Sequence, residues 1–214
     1  MLVKERMTRH PITINPDTSL HEALRIMRDE KVRRLPVLDK QGKLVGIVVE
    51  ADLLHASPSP ATTLSVYELN YLVARIKVED LMSREVVTIE EDCPLEEAAR
   101  IMVDNDIAGL PVMRGDKLVG MITESDLFKI FLELLGARNP GLRVTIKVAE
   151  QQGFLAKLTG ALSEAGADIV TLGTFWGDDL ASREIAFKVQ GIACDRVEQI
   201  LTGLGADVVD LRTC

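Results

Sequence analysis

The residues best suited to chemistry in this sequence lie where an apolar run ends in two hydroxyls and an acid. Thr123, Ser125 and Asp126 directly follow the apolar residues 120–122. Hydroxyl groups can donate hydrogen bonds to phosphate oxygens, and a carboxylate can accept from both hydroxyls of a ribose. A helix that begins here would add backbone N–H groups that favour an anion. This set of groups therefore indicates a nucleotide site.

An earlier copy of this turn lies at residues 46–52 and differs in its polar groups. Val49 and Ala51 replace the two hydroxyls, whereas Asp52 keeps the acid. The first copy can still accept from a ribose, but it has lost its phosphate donors. For Asp52 and for Asp126 a plainer alternative stays open, because an aspartate at this point can simply cap the following helix.

The composition limits the classes of partner. Hydrophobic residues make up 47% and charged residues 27% of the chain, as in an ordinary soluble globular protein. The net charge of -8 disfavours nucleic acid and anionic membranes, both of which attract clustered Lys and Arg. The sequence shows neither an apolar N-terminal leader nor a run that could span a bilayer. We therefore expect a cytoplasmic protein with no nucleic-acid or membrane partner.

Metal and catalytic patterns are missing from the sequence. The three cysteines are far apart and the three histidines form no ligand cluster, so neither a zinc site nor a disulfide framework is predicted. No residue pair suggests a nucleophile with its base. We expect no catalytic residues, no metal and no cofactor.

An internal duplication organises most of the chain. Residues 7–53 match residues 82–127 at an offset of about 75 positions. Apolar spacing predicts a strand, a helix, a hairpin and a closing helix in each copy. The predicted bounds are strands over 12–14 and 86–89, helices that begin near residues 19 and 94, hairpins over 35–49 and 110–123, and closing helices opened by Asp52 and Asp126.

The remaining segments have a different character. Residues 57–77 combine a Ser-Pro-Ser-Pro break with the pattern of an amphipathic helix. After residue 139, apolar alternation and helical spacing follow each other in the order βαββαβ. We thus predict a first repeat over 1–56, a linker over 57–77, a second repeat over 78–138 and a separate domain over 139–214.

The duplicated block resembles a pair of CBS (cystathionine-β-synthase) domains. The resemblance lies in Leu35-Pro36-Val37 and Leu110-Pro111-Val112, and in the G-h-x-[ST]-x-[ST]-D signature at 120–126. The tail resembles an ACT domain, with Glu150 to Leu155 in place of its D-x-x-G-x-L loop. This domain order is similar to that of the bacterial acetoin-utilisation B-type family. The expected fold class is α+β, with two β-α-β-β-α repeats in a pseudo-twofold tandem and a βαββαβ ferredoxin-like ACT domain.

The CBS resemblance implies a regulatory protein, not an enzyme, that senses AMP, ADP, ATP or S-adenosylmethionine. It also assigns roles to individual positions. Thr123, Ser125 and Asp126 match the residues that contact ribose and phosphate, and Asp52 marks a reduced first site. Thr88 and Ile89 match the residues that flank the base, and Pro111 and Val112 match the backbone beside adenine. Arg33 and Arg34 match basic residues that face the phosphate.

The ACT resemblance implies an amino-acid site at a subunit contact. Gly153 matches the loop glycine that approaches a carboxylate, and Glu150, Phe154 and Leu155 are its neighbours. Glu150 replaces the family's aspartate and Gln152 its proline, so a purely dimerising domain is the alternative. We expect a homodimer or higher oligomer that regulates an unknown partner, in acetoin or other carbon catabolism. The competing hypothesis is an interaction module whose clefts bind nothing.

Overall fold

The structure is a computed structural model that describes residues 1–56, 75–177 and 182–214. The chain forms two compact units, Met1–Leu127 and Phe128–Cys214. The amphipathic helix predicted in the linker lies almost entirely outside the described residues. None of the helices within these three ranges is long and apolar enough to cross a membrane.

The first unit contains both repeats as far as residue 127, and the last helix of the second repeat continues past that boundary. Its described elements in the first repeat are α1 (Val3–Arg6), β1 (Thr8–Arg9), α2 (Leu20–Glu30), β2 (Arg34–Leu38), β3 (Leu44–Val49) and α3 (Glu50–Ala56). Those of the second repeat are α4 (Val78–Leu81), β4 (Ile89–Glu90), α5 (Leu95–Asp104), β5 (Gly109–Arg114), β6 (Lys117–Thr123) and α6 (Glu124–Leu134). The two predicted hairpins and the helices predicted near residues 19 and 94 are therefore present, and the closing helices begin at Glu50 and Glu124, two residues before the predicted Asp52 and Asp126.

Local sequence explains why the long helices form where they do. The Ser19 hydroxyl accepts from the backbone N–H of Glu22 at 3.2 Å, which caps the start of α2. Residues three and four positions apart then face the core, and α5 repeats the pattern. The buried positions are Leu20, Ala23 and Met27 in α2, and Leu95, Ala98 and Met102 in α5.

The segments that open the repeats are exchanged between them. We call residues 1–9 and 76–84 the opening segments. In the first, the backbone N–H of Lys4 donates to Glu91 at 2.8 Å, and β1 pairs with β6 of the second repeat. In the other, the N–H of Val78 donates to Thr18 at 2.9 Å, and Ser83 bridges to β3. Each repeat thus completes its sheet with backbone from the other.

The predicted first strands of the two repeats are shorter in the structure. In place of strands over 12–14 and 86–89, the structure has an isolated bridge from Ile14 to Val37 and the two-residue β4. The helices α1 and α4 and the strand β1 were not predicted. All three belong to the opening segments and are too short to show a period of their own.

Two glycines permit the close approach of the opening segments. A Cβ on Gly46 would lie 2.5 Å from the sulfur of Met82 and 3.1 Å from the carbonyl oxygen of Ser83. Gly120 faces Met7 and the Thr8 carbonyl in the same way. A side chain at either position would push an opening segment away from the sheet that it completes.

The second unit has the predicted βαββαβ order. Its described elements are β7 (Leu142–Ala149), α7 (Phe154–Glu164), β8 (Asp168–Trp176), β9 (Ser182–Gln190), α8 (Cys194–Gly203) and β10 (Asp207–Thr213). The strands lie in the order β10-β7-β9-β8, and every neighbouring pair is antiparallel. Leu158 and Leu162 of α7 and Val197 and Leu201 of α8 share one core with β7 and β9, so both helices cover one face.

Candidate functional site

A cavity of about 640 Å³ lies in the first unit between parts of both repeats. We call it the Asp52 cavity. The first repeat contributes the end of β3, the first turn of α3, and Arg33 and Arg34. The second repeat contributes Ser83 from its opening segment, the residues Glu85, Val86 and Val87 that follow it, Asp106 to Ala108 before β5, and Gly109 and Pro111 within β5. Both repeats therefore supply walls of the cavity.

Asp52 is the acid at the centre of the first-repeat wall. It is the third residue of α3, which begins at Glu50, and its side chain is exposed. Among the described residues its carboxylate makes no hydrogen bond or ion pair. Val49 and Ala51 beside it are apolar. This carboxylate is available to accept hydrogen bonds from a ligand.

Arg33 and Arg34 supply positive charge to the same cavity. Arg33 is exposed and Arg34 is half-buried. Burial lowers the pKa of the Arg34 guanidinium, while the charge of Glu124 raises it and that of Arg33 lowers it. In the described part of the chain neither guanidinium is held by an ion pair within 4 Å. An anionic group of a ligand would meet two adjacent cations here.

Gly109 lets Arg34 reach toward the second repeat. A Cβ at Gly109 would lie 3.4 Å from Cδ of Arg34 and 3.4 Å from Cγ2 of Thr123. Glu124, whose negative charge raises the pKa of Arg34, directly follows Thr123. Arg34 therefore lies between the Asp52 cavity and the turn that carries Thr123, Ser125 and Asp126.

That second turn is closed by its own side chains. Oδ2 of Asp126 accepts from the Thr123 hydroxyl at 2.7 Å and from the Thr123 backbone N–H at 3.1 Å. Asp126 is the third residue of α6, so the contacts form a helix cap of the capping-box kind. Ser125 is exposed. The sequence left open that Asp126 is the N-cap of its helix; in the structure Asp126 is instead the third helical residue, and its carboxylate accepts from the residue that precedes the helix.

The structure distributes the other predicted contacts unevenly. Pro111 lines the Asp52 cavity, whereas Thr88, Ile89 and Val112 do not. Ile89 and Val112 are buried partners in the parallel pairing of β4 with β5, and Thr88 is exposed. Sequence reasoning missed the second-repeat residues that do line the cavity. These are Ser83, Glu85, Val86, Val87, Asp106, Ile107, Ala108 and Gly109.

A separate cavity of about 290 Å³ lies in the second unit. Its lining brings together the four residues that the ACT resemblance selected: Glu150, Gly153, Phe154 and Leu155. Gly153 has φ +82° immediately before α7, a conformation that favours glycine. Arg183 also lines this cavity, forms an ion pair with Glu150 and lies 3.5 Å from the Trp176 ring centroid. The acid at this site is therefore already paired.

A metal centre has no support in the geometry. Across the three described ranges, no three His, Cys, Asp or Glu side chains are grouped so that they could hold a metal ion. The lining of the Asp52 cavity combines two guanidinium groups and apolar residues with the carboxylates of Glu50, Asp52, Glu85 and Asp106.

The first unit is thus a tandem of two α/β repeats that exchange their opening segments and share the walls of one cavity. The family description "CBS domain" matches residues 3–59 and 78–133, and this chain belongs to the CBS domain family. A CBS domain-containing protein of Dictyostelium discoideum is 37% identical over 136 residues, which cover 63% of this chain and 94% of that protein. CBS domain pairs are typically regulatory rather than catalytic.

Solved structures show the same fold. AcuB from Vibrio cholerae, named for acetoin utilization, matches with a TM-score of 0.53 and 33% identity over 64% of this chain and 95% of its own. The CBS pair of protein MJ0100 was solved with 5-methylthioadenosine and S-adenosyl-L-methionine. It matches with a TM-score of 0.52 and 28% identity over 65% of this chain and 98% of its own. CBSX2, solved with AMP, matches with a TM-score of 0.50 and 31% identity over 61% of this chain and 96% of its own. Related CBS pairs therefore bind adenosine compounds.

Proposed function

We propose that this protein is a regulatory sensor, not an enzyme, and that its CBS pair binds an adenine nucleotide or S-adenosylmethionine. The Asp52 cavity is the observation that carries the proposal. Its volume of about 640 Å³ is typical of sites for small molecules. The adenosine compounds found in related CBS pairs support the same ligand class.

The ligand's parts can be assigned to the groups that line the cavity. The Asp52 carboxylate accepts from the ribose hydroxyls, since it has no described partner of its own. Val86 and Val87 provide an apolar surface for the base. Arg33 and Arg34 face the phosphate, where charge-assisted hydrogen bonds are strongest.

The charge balance of the cavity ranks the candidate ligands. Besides Asp52, the carboxylates of Glu50, Glu85 and Asp106 line the wall. A triphosphate would place several negative charges near these three acids, whereas AMP brings fewer and S-adenosylmethionine brings positive charge as well. We therefore expect AMP and S-adenosylmethionine to bind more tightly than ADP, and ADP more tightly than ATP without a divalent cation.

The turn with Thr123, Ser125 and Asp126 is the proposed second nucleotide site. Thr88, Ile89, Pro111 and Val112 remain its predicted neighbours on sequence grounds. A ligand there has to share the Asp126 oxygens with Thr123, which already donates twice to one of them. We accordingly assign the tighter site to Asp52, the reverse of what the sequence favours.

Binding would act by favouring one arrangement of the domains over another. We propose that this preference reaches the C-terminal unit or a regulated partner protein in the cytoplasm, in a homodimer or higher oligomer. The likeness to AcuB supports a role in acetoin or other carbon catabolism.

The C-terminal unit is a proposed ACT domain with a ferredoxin-like βαββαβ fold. The observed strand order supports the fold, and the cavity around Glu150 and Gly153 supports a small amino-acid ligand. Arg183 is the lining cation that could hold the ligand's carboxylate, provided that it leaves Glu150. Binding of an amino acid should therefore weaken in an Arg183→Gln variant and respond to salt.

Calorimetric titration with AMP, ADP, ATP and S-adenosylmethionine tests the sensor. One saturable site whose affinity falls about tenfold or more in Asp52→Ala is the expected result, since a hydrogen bond to a charged group is lost. Loss in Asp126→Ala alone would move the site to the second turn. No heat with any ligand, together with a stable oligomer by light scattering, would support the interaction module instead.

A further inference from the structure

A second, smaller cavity in the first unit lies beside the pairing of β1 with β6. Its volume is about 180 Å³, and its lining shares no residue with the Asp52 cavity. The lining residues are Met7, Arg9, His10, Arg114, Lys117, Leu118 and Val119. Three of them are permanent cations, and one is an imidazole.

Only part of this positive charge is balanced locally. Arg114 donates to Glu91 at 2.8 Å, and Arg9 donates to the carbonyl oxygen of Lys4 at 3.3 Å. Over the described ranges, the side chains of Lys117 and His10 have neither a hydrogen-bond nor an ion-pair partner. The Arg114 hydrogen bond holds the pKa of Glu91 below its ordinary value. Glu91 therefore stays ionised and offsets one cation of the three.

The backbone at His10 is in an uncommon conformation. Its φ is +51°, in the left-handed region that residues other than glycine seldom adopt. The N–H of His10 donates to Val119 at 3.4 Å and so extends the pairing of β1 with β6. Strain of this kind persists only where surrounding contacts fix it, and it concentrates at functional sites.

The first repeat lacks this cavity's charge pattern. Arg84 and Lys43 correspond to Arg9 and Lys117, so two cations are kept. Asp39, however, stands where the second repeat has Arg114, and Glu85 is the counterpart of His10, the residue that follows the first opening segment. The Asp39 carboxylate accepts from the backbone N–H groups of Gln41 and Lys43 at 2.9 and 2.8 Å. Only one end of the pseudo-twofold tandem is therefore suited to an anion.

We propose that the cavity lined by Arg9, His10, Arg114 and Lys117 binds a phosphate-class oxyanion, either free or as the phosphate group of a small metabolite. Its volume corresponds to roughly six water molecules at about 30 Å³ each. That is room for a phosphate group. The net charge of -8 and the nearby Glu91 and Asp116 disfavour a nucleic-acid backbone.

The test is a titration of ¹⁵N-labelled full-length protein with inorganic phosphate at constant ionic strength, followed by NMR. The amide signals of His10, Gly115 and Val119 and the His10 ring signals should shift and saturate. The double variant Arg9→Gln, Lys117→Gln should bind about tenfold more weakly, because two charge-assisted hydrogen bonds are lost. The matched variant Arg84→Gln, Lys43→Gln should bind as the unaltered protein does.

Further arms separate the possible outcomes. Asp52→Ala should leave the phosphate response unchanged, so this site can stand even if the nucleotide proposal fails. Glycerol 3-phosphate that moves the same signals at lower concentration indicates a metabolite's phosphate, and a response only to inorganic phosphate indicates the free ion. Shifts confined to the Asp52 cavity would overturn the proposal. So would unchanged affinity in the double variant, or in Lys117→Gln if the double variant does not fold.

Discussion

The two turns that close the repeats differ in what their aspartates do. In the second repeat, Asp126 accepts two hydrogen bonds from Thr123 and caps α6. In the first repeat, Val49 occupies the position of Thr123, and Asp52 lines a large cavity without a described partner. The turn with more polar groups is thus the one whose groups are engaged with each other. A hydroxyl beside an acid can satisfy the acid as readily as it can bind a ligand.

The largest expected effect is on stability, and it tests whether the two repeats depend equally on the close approach of the opening segments at Gly46 and Gly120. Gly120→Val should lower the free energy of unfolding by about 1–3 kcal/mol, because its side chain would meet Met7 and the Thr8 carbonyl. Gly46→Val should cost about the same through Met82 and Ser83. Urea unfolding measures both. As a control, Gly160→Ala should not destabilise, since nothing lies within 4 Å of its added Cβ. A large difference in the free energy of unfolding between the two valine variants would show that the two repeats do not depend equally on their opening segments.

The next prediction concerns the charge that lies between the two turns. Arg34→Gln should weaken AMP binding about tenfold, since a charge-assisted hydrogen bond to phosphate is lost. Adenosine, which has no phosphate, should bind Arg34→Gln and the unaltered protein nearly equally. Calorimetry with both ligands measures the difference. Equal losses for adenosine and AMP would show that Arg34 supports the fold of the cavity and does not contact phosphate.

The two aspartates should separate in a stability measurement. Asp126→Ala removes a helix cap and should lower the free energy of unfolding by about 1 kcal/mol. Asp52→Ala removes no described interaction and should change it by less than about 0.5 kcal/mol. Thermal and urea unfolding of both variants provide the values. Equal destabilisation would mean that Asp52 also caps its helix in solution.

The smallest effect comes from making the first turn resemble the second. Val49→Thr places a hydroxyl where Thr123 stands and should bring it within reach of Asp52. The free energy of unfolding should rise by a few tenths of a kcal/mol, while AMP affinity falls two- to threefold because the acid gains a competing donor. Val49→Ala controls for the lost side chain. Tighter AMP binding in Val49→Thr would show that the added hydroxyl contacts the ligand.

Much of the fold follows from short-range pattern. Both hairpins, the cap at Ser19 and the βαββαβ order of the C-terminal unit are predicted from the sequence and are present, whereas Pro94 directly precedes α5 and offers it no side-chain cap. Each depends on spacing within one segment, which a single sequence displays directly. The CBS duplication is also visible in the sequence, and the family match confirms it.

The composition of the cavity could not be predicted in the same way. The apolar spacing at Val86 and Val87 predicts an extended segment, but it does not indicate that the segment lines a cavity together with the other repeat. Residues taken to serve the turn of their own repeat therefore differ from those that line the cavity. The nucleotide roles of Thr123, Ser125 and Asp126, of Thr88, Ile89 and Val112, and the domain boundaries remain predictions.

The exchanged opening segments have a consequence for how the chain is made. Residues 1–9 are synthesised long before β6, yet β1 has no strand partner until β6 has been made, near residue 121. The first repeat likewise waits for Ser83 before its β3 edge is covered. The first repeat is therefore not a finished folding unit when its own last residue appears, whereas the second repeat finds its exchanged segment already synthesised. The order of synthesis and the order of completion therefore differ, and the nascent chain carries an uncovered sheet edge until the second repeat arrives.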